Sequence, residues 1–392
     1  MKKISATIVA DSVGPSGDRI TSMLVTFPRF ILAELNTHRL FTKNSASSRA
    51  IPFNKMLESV SDDPFIPIAW QKDHTGMQGT EYFSEKDLVR PNDTEIKDDI
   101  PFHLTQVWLE ARNEAIKMSS YASNLGLTKQ LCNRLLEPFL WCTVLVTATE
   151  WDNFFDLRTP KYTIKVDANK TPYKSRKDLR KAVEGWWSTP SDWEQMTEAD
   201  WLSMSQAGAE IHMQVLAEAM WDAMKASSPK TLAYGEWHIP FGDQIDPKAL
   251  RTLACDYANK LEENSNSDSG CMVTYDFSAI ELKLAVKIAI ARCARLSYMT
   301  FDKEIDLKKD LELYDRLLAN KHMSPFEHCA RAMSITESNR FIKGEILTMR
   351  VPNSIKHPSI EGIWVYPNSL GWCNNFKGFI QHRYMLESSH LY

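Results

Sequence analysis

The first thirty residues restrict the fold more than any other stretch of the chain. Two β-branched, alternating runs, Ile4–Val13 and Ile20–Thr26, flank Gly14-Pro15-Ser16-Gly17-Asp18. Glycine takes up positive φ without steric cost and proline presets φ at the start of a turn, so this cluster reverses the chain. Residues 3–28 are therefore predicted to form a β-hairpin. Beyond it, apolar residues recur at helical spacing. Phe30, Ile31, Leu32 and Leu35 predict a short helix. Longer helices are predicted across Leu104–Lys117, Lys129–Val146, Ala207–Lys225, Ala279–Ala294 and Leu307–Asn320. Residues 61–100, rich in Asp and Pro, read as a surface excursion. Residues 159–205 carry Trp186, Trp187, Trp193 and Trp201 and read as an insertion with its own small core. The C-terminal stretch has loop character until Phe376–Leu386.

Composition narrows the function classes. A chain of 392 residues can bury a sizeable core, and 43% apolar with 24% charged residues is the balance of a soluble globular protein. A net charge of −4 argues against a sequence-independent duplex-DNA binder. Seven cysteines with no Cys-x-x-Cys pair read as reduced thiols of a cytoplasmic protein. Asp11 ends the first apolar run too early for a signal peptide, and no run approaches the roughly 18 apolar residues that span a bilayer. There are 14 glycines, none in a Gly-x-Gly-x-x-Gly or Walker-type loop, so a Rossmann turn would not hold any dinucleotide here. His322, His328 and Cys329 lack zinc-ligand spacing, and no metal is expected.

The run Thr37-His38-Arg39-Leu40-Phe41-Thr42-Lys43-Asn44-Ser45-Ala46-Ser47-Ser48-Arg49 carries the chemistry. Arginine offers a planar fork of donors suited to phosphate, and serine hydroxyls with nearby backbone N–H groups complete an anion cradle. The same run also suits a polar helix end with solvated charges.

That segment resembles the signature of the flavin-dependent thymidylate synthases, Arg-His-Arg-x-x-Ser-x-Asn-Glu-x-Ser-x-Arg. His38, Arg39, Asn44, Ser47 and Arg49 match, Thr42 replaces a Ser, and Thr37 and Ser45 stand where the family has Arg and Glu. Glu34 falls where the family has Gln. Asn133-Arg134-Leu135-Leu136-Glu137-Pro138 resembles the family's Ala-Arg-x-x-Leu-Pro, and Asn153-Phe154-Phe155-Asp156-Leu157-Arg158 its Asn-Phe-Leu-x-Leu-Arg. Ala294-Arg295-Leu296-Ser297 is similar to Ala-Arg-x-Ser, and His322-Met323-Ser324-Pro325-Phe326-Glu327-His328 to His-x-Ser/Thr-Pro-Phe-Glu-His. In the family the last two blocks precede the signature; here they follow it, which reads as a circular permutation.

The resemblance implies an α/β fold with a central, mostly antiparallel sheet packed with helices, in one catalytic domain. Its core segments would be about 1–60, 101–158, 205–225, 282–335 and 374–388, and its insertions about 61–100, 159–204, 226–281 and 336–373. The implied reaction is reductive methylation of dUMP to dTMP, with methylene-tetrahydrofolate and NADPH as co-substrates and FAD as cofactor, in a homotetramer. Arg49 and Arg134 would bind phosphate, and Ser47, Ser48 and Glu34 would line the nucleotide site. Arg158, with Ser47, would be catalytic: a cation on the ring carbonyl stabilises the charge that develops as the pyrimidine C5 attacks. Thr37, His38, Arg39, Ser45, Asn153, Ser297, His322, Ser324 and Glu327 would surround FAD.

Two other readings stay open. Glu34 in place of Gln suits a related C5 methylase or hydroxymethylase of dCMP, because a carboxylate accepts from an exocyclic amine. The departures at Thr37 and Ser45 suit a flavin- or nucleotide-binding protein without turnover. In the tail, Gln381 and Arg383 offer an amide and a cation to replace those missing at Glu34 and Thr37.

Overall fold

The hairpin lies within a five-stranded sheet. The computed structural model describes residues 2–76, 79–87, 99–163, 171–184, 191–264, 276–296, 306–333, 347–350, 363–366 and 376–389. Strands β1 (Ser5–Val13) and β2 (Arg19–Pro28) pair antiparallel from Ser5↔Thr26 to Val13↔Arg19, with a register shift between Ile8 and Ala10. Gly17, at φ 82°, is the turn residue that needs the left-handed region. Strands β3 (Thr42–Ser45), β4 (Trp141–Ala148) and β5 (Lys230–Thr231) complete the order β3-β4-β2-β1-β5. All its pairings are antiparallel except β1 with β5. With the helices around it, this is the expected α/β class.

One predicted helix is half strand. Lys129–Cys132 is helical and Asn133–Phe139 forms 3-10 turns, but Trp141–Ala148 is β4, paired on both sides. Pro138 lacks the N–H that a continuing helix requires, and Thr143, Val144, Val146 and Thr147 are β-branched. A strand covered on both faces shows no alternation, so spacing alone does not separate it from a helix. The other long predictions correspond to helices Ile100–Asn124, Ile211–Ala226, Phe277–Arg295 and Leu307–Ala319. Phe30–Leu35 divides into a 3-10 turn, Arg29–Ile31, and a helical turn, Leu32–Leu35.

One face of the sheet packs Met23, Val25, Phe27, Val144 and Val146 against Met213, Leu216 and Met220 of helix Ile211–Ala226. Side chains of this size contribute roughly 1.5–3 kcal/mol each on full burial, so the helix is held by packing more than by propensity. On the other face Leu24 and Leu145 meet Phe241, Cys293 and Leu296. Helices Phe277–Arg295 and Leu307–Ala319 share a core with Phe326 and Cys329. That core carries the second half of the chain onto the first.

A second, three-stranded sheet follows from this. Strands β6 (Trp237–His238) and β7 (Ala330–Ala332) pair antiparallel; β8 (Leu347–Arg350) and β9 (Ile363–Tyr366) pair with each other; and β10 (Phe379–Gln381) joins β7 on its other edge. The tail is thus a strand followed by the helix His382–Ser389.

The 159–205 insertion has its own core of Tyr162, Leu179 and Trp201, against which Trp193 packs; Trp186 and Trp187 lie outside the described residues. Arg176 clamps it, reaching Glu198 at 2.6 and 2.8 Å, while its backbone N–H donates to Glu218 on helix Ile211–Ala226 at 2.6 Å. The 61–100 segment is not wholly superficial. Phe65 is 0% exposed, its N–H donates to the Phe139 carbonyl at 2.8 Å, and its own carbonyl accepts from Trp108 Nε1 at 2.8 Å. Among the described residues no helix is long and apolar enough to cross a membrane.

Candidate functional site

The signature enters the structure through Phe41. Its buried ring lies 4.6 Å from Trp151 and 5.1 Å from Phe154, which fixes the start of β3. Thr42 and Asn44 then point inward and Lys43 and Ser45 are half-buried, as strand alternation requires. The Asn44 amide donates to the Cys293 carbonyl at 2.6 Å, tying β3 to helix Phe277–Arg295. Past the strand, the buried Asn133 amide donates to the carbonyls of Ser48 and Ile51, at 2.7 and 3.0 Å, and holds the serine loop.

Opposite β3, helix Leu307–Ala319 ends with Lys321 in the left-handed region, φ 55°. The backbone N–H groups of Lys321 and His322 turn back to the carbonyls of Leu318 and Leu317, a helix-ending geometry that glycine more often provides. His322 leaves this turn beside Ser324 and Pro325, at the start of the 3-10 turn Ser324–Glu327. Asn44, Ser45, Ser47, Ala50, Ala294, Leu317, His322, Ser324 and Pro325 line one cleft of 240 Å³. Two segments far apart in sequence, about 44–50 and 294–325, form its walls.

A second cluster lies around Arg158, at the end of helix Asp152–Arg158. Its Nε donates to His38 Nε2 at 3.0 Å, and its Nη1 is paired with the Glu34 carboxylate. Burial first, then the Arg158 and Lys43 cations, hold the His38 imidazole down at about 4. It is therefore neutral at pH 7, and because Nε2 accepts, the proton sits on Nδ1. Lys43 Nζ donates to the His38 carbonyl at 2.6 Å, and burial lowers its ammonium to about 8. Burial raises the Glu34 carboxyl above its ordinary value in spite of Arg158.

Buried hydroxyls and imidazoles link the two halves of the chain. Ser12 Oγ lies 3.0 Å from His238 Nδ1, and His238 Nε2 lies 2.8 Å from Ser22 Oγ. Ser22 Oγ is 2.6 Å from Thr147 Oγ1, which is 2.8 Å from His328 Nδ1. Both imidazoles are 0% exposed and burial lowers each to about 3, so both stay neutral. Their partners belong to β1, β2 and β4, and His328 directly follows the Ser324–Glu327 turn.

Of the residues singled out from sequence, Ser45, Ser47, His322 and Ser324 share the cleft. Glu327 sits one residue group further on, against Arg383 at 2.5 Å and Thr42. His38, Glu34 and Arg158 form the separate cluster. Thr37 turns its hydroxyl to the Glu34 carbonyl at 2.7 Å, and Arg134 pairs with Glu137 at 2.9 Å. Ser48 is buried, Arg39, Arg49 and Asn153 are exposed, and Ser297 lies outside the described residues. Gln381 and Arg383 meet Thr42 and Glu327, whereas Glu34 has Arg158 as its cation. His238, Lys43 and the left-handed Lys321 were not marked by any spacing; each acquires its role only through tertiary neighbours.

Fold and site together define a mixed α/β protein with a polar, ligand-sized cleft built from two segments far apart in its chain. Residues 284–360 match the family model described as thymidylate synthase complementing protein. The matched stretch is about a fifth of the chain, and it contains His322, Ser324 and Glu327. Two crystal structures of a UMP/dUMP methylase, PolB, from Streptomyces cacaoi are similar to the chain. The one bound with 5-Br UMP has 12% identity and a TM-score of 0.31. The one bound with 5-Br dUMP has 11% identity and a TM-score of 0.30. Each comparison covers 52% of this chain and 94% of the other. No curated protein matches the sequence.

Proposed function

We propose that the protein is a pyrimidine nucleoside monophosphate C5 methylase acting as a flavin-dependent thymidylate synthase. It would convert dUMP to dTMP with methylene-tetrahydrofolate as carbon donor and FAD and NADPH as redox partners. The observation that carries this reading is the meeting of Asn44, Ser45 and Ser47 with His322 and Ser324 around one cleft. The second set lies in the stretch matched to the family; the first lies in the signature, far from it in the sequence.

The residues present fit part of a flavin nucleotide. Three serine hydroxyls, an amide and an imidazole suit ring, ribose or phosphate oxygens. At 240 Å³ the cleft takes one portion of such a molecule, and the remainder would lie outside it. Ser45, His322 and Ser324, with Glu327 and, by resemblance, Thr37, His38, Arg39, Asn153 and Ser297, would hold FAD. When bound, FAD supplies the hydride that completes the methyl group. Ser47, Ser48, Arg49 and Arg134 would hold the pyrimidine nucleotide.

Arg158 would face the base. C5 is a strong carbon nucleophile only in an enolate-like form of the ring whose negative charge rests on a carbonyl oxygen, and a guanidinium donor there would stabilise that form by several kcal/mol, roughly 3 or more. In this chain the guanidinium is shared with Glu34 and His38. A donor beside an acceptor matches the O4 and N3–H of uracil, and equally the N3 and exocyclic amine of cytosine. The Glu34–Arg158 pair therefore admits a second reading, with dCMP as substrate.

Incubation with FAD, NADPH, methylene-tetrahydrofolate and either dUMP or dCMP, with mass analysis of products, separates these. Methylated dUMP is the expected product. Product from dCMP alone would replace the first reading with the second, and no product from either would leave a binding protein without turnover. The reading also carries a permuted single domain and a homotetramer, to be checked by sedimentation.

A further inference from the structure

The tail contributes two residues that lie outside the matched family stretch and outside every motif quoted above. Gln381, the last residue of β10, is 1% exposed and donates through Nε2 to Thr42 Oγ1 at 3.4 Å. Thr42, also buried, lies beside the Glu327 carboxylate and favours its ionised form. Arg383, two residues beyond Gln381, donates from Nη1 to Glu327 Oε1 at 2.5 Å. The donor sense is clear in both bonds, amide to hydroxyl and guanidinium to carboxylate. One short segment thus grips a single carboxylate from two directions. That carboxylate ends the turn whose first residue, Ser324, lines the cleft.

We propose that Arg383 is a positioning residue: it fixes the Glu327 carboxylate as an ionic acceptor beside the cleft, ready for the hydroxyl or N–H donors of a flavin nucleotide. The ligand named here rests on the flavin reading above; the grip on Glu327 does not. The groups facing Glu327 are Arg383 and Glu387 from the C-terminal helix and Thr42 from β3. Burial raises the Glu327 carboxyl above its ordinary value, Arg383 and Thr42 oppose that, and Glu387 adds to it. Without Arg383, burial and Glu387 are opposed, among the described residues, by a neutral hydroxyl alone. The carboxyl then takes up a proton nearer neutrality and ceases to be an ionic acceptor. The defect of an Arg383 variant must therefore depend on pH, whereas a loss of mere packing would not.

The test uses the full chain and two readouts. Carbon-13 NMR of side-chain-labelled glutamates, with Glu327→Gln giving the assignment, follows Glu327 in the protein without ligand. Arg383→Met should raise its midpoint by about one pH unit, and Arg383→Lys should return it towards wild type. FAD titrations by absorbance at pH 6.5 and 8.5 should show Arg383→Met weakening affinity about threefold at the lower pH and hardly at all at the higher. The same variant should add nothing in a Glu327→Gln background. If Arg383→Met does not fold, Arg383→Gln takes its place in both arms. An unmoved Glu327 midpoint overturns the proposal whether or not FAD binds. Equal weakening at both pH values, additive with Glu327→Gln, overturns it too. Wild-type protein that binds no FAD overturns the flavin reading alone, and the Glu327 midpoint still decides the role of Arg383.

Discussion

Thr147→Val removes one hydroxyl from the middle of the buried chain and nearly preserves the side chain's shape. That hydroxyl is 2.6 Å from Ser22 Oγ and 2.8 Å from His328 Nδ1, at a fully buried position. Ser22 would retain His238 at 2.8 Å. His328 would retain nothing among the described residues, because its Nε2 already lacks a partner there. A buried polar group left unsatisfied costs roughly 1–3 kcal/mol, so one orphaned imidazole and one weakened serine should together cost roughly 2–4 kcal/mol. Thr143→Val, on the same strand, is the control. Among the described residues its hydroxyl faces Thr26 Oγ1 at 3.0 Å in a part-buried position, where water can substitute, and the loss should stay below about 1 kcal/mol. Denaturant unfolding followed by circular dichroism and by tryptophan fluorescence measures both, and agreement of the two probes licenses a single free energy. A Thr147→Val cost within about 0.5 kcal/mol of the Thr143→Val cost would refute the reasoning, because burial of the chain would then count for nothing.

Further outcomes follow from the same geometry. Folded His38 and His382 titrate at about 4, and His238 and His328 at about 3, against 6.5 for an unperturbed imidazole. The unfolded chain therefore binds more protons below pH 6.5, and their contribution, complete above that pH, is lost as pH falls towards 3–4. Glu218, raised to about 7 by burial, and Glu34 and Glu327, raised by burial as well, act in the opposite sense, three carboxyls against four imidazoles whose shifts span the whole range below pH 6.5. The melting temperature should thus drop steadily from pH 7.5 to 5, and a flat profile would contradict this balance. Arg158→Met should lower dTMP formation at least about 100-fold, while Glu34→Gln, which keeps a neutral acceptor, should spare dUMP turnover and lower any from dCMP, as product assays will show. Arg176→Met leaves Glu218 buried without its cation, so limited proteolysis within 159–204 should accelerate while the sheet core keeps its resistance.

The parts of this fold that a reader of the sequence could see are those with a local cause. The hairpin was legible because Gly14–Asp18 breaks two alternating runs, and helix Leu307–Ala319 because its apolar stripe is narrow. Strand β4 was not, since a strand buried on both faces has no period to read. Strands β5, β6 and β7, of two or three residues each, are too short to leave any pattern. The cleft was legible through motif spelling: Ser45, Ser47, His322 and Ser324 were named from sequence and share one wall or the other. Arg158 was named too, yet its engagement with Glu34 and His38 was hidden, because a salt bridge between residues 34 and 158 depends on how helix Asp152–Arg158 docks. His238 is the extreme case. A lone histidine in an unremarkable segment becomes the keystone of a buried network only once β6 is laid across the sheet.

The most direct measurement is FAD affinity in wild-type protein, in Ser45→Trp and in Ser324→Trp. These place bulk on the two walls of the cleft, one from each of its two segments. Binding by the wild type that is lost in both variants is the expected result, with folding of each confirmed by its melting curve. Binding that survives bulk at either wall would contradict a flavin site shared between those two segments.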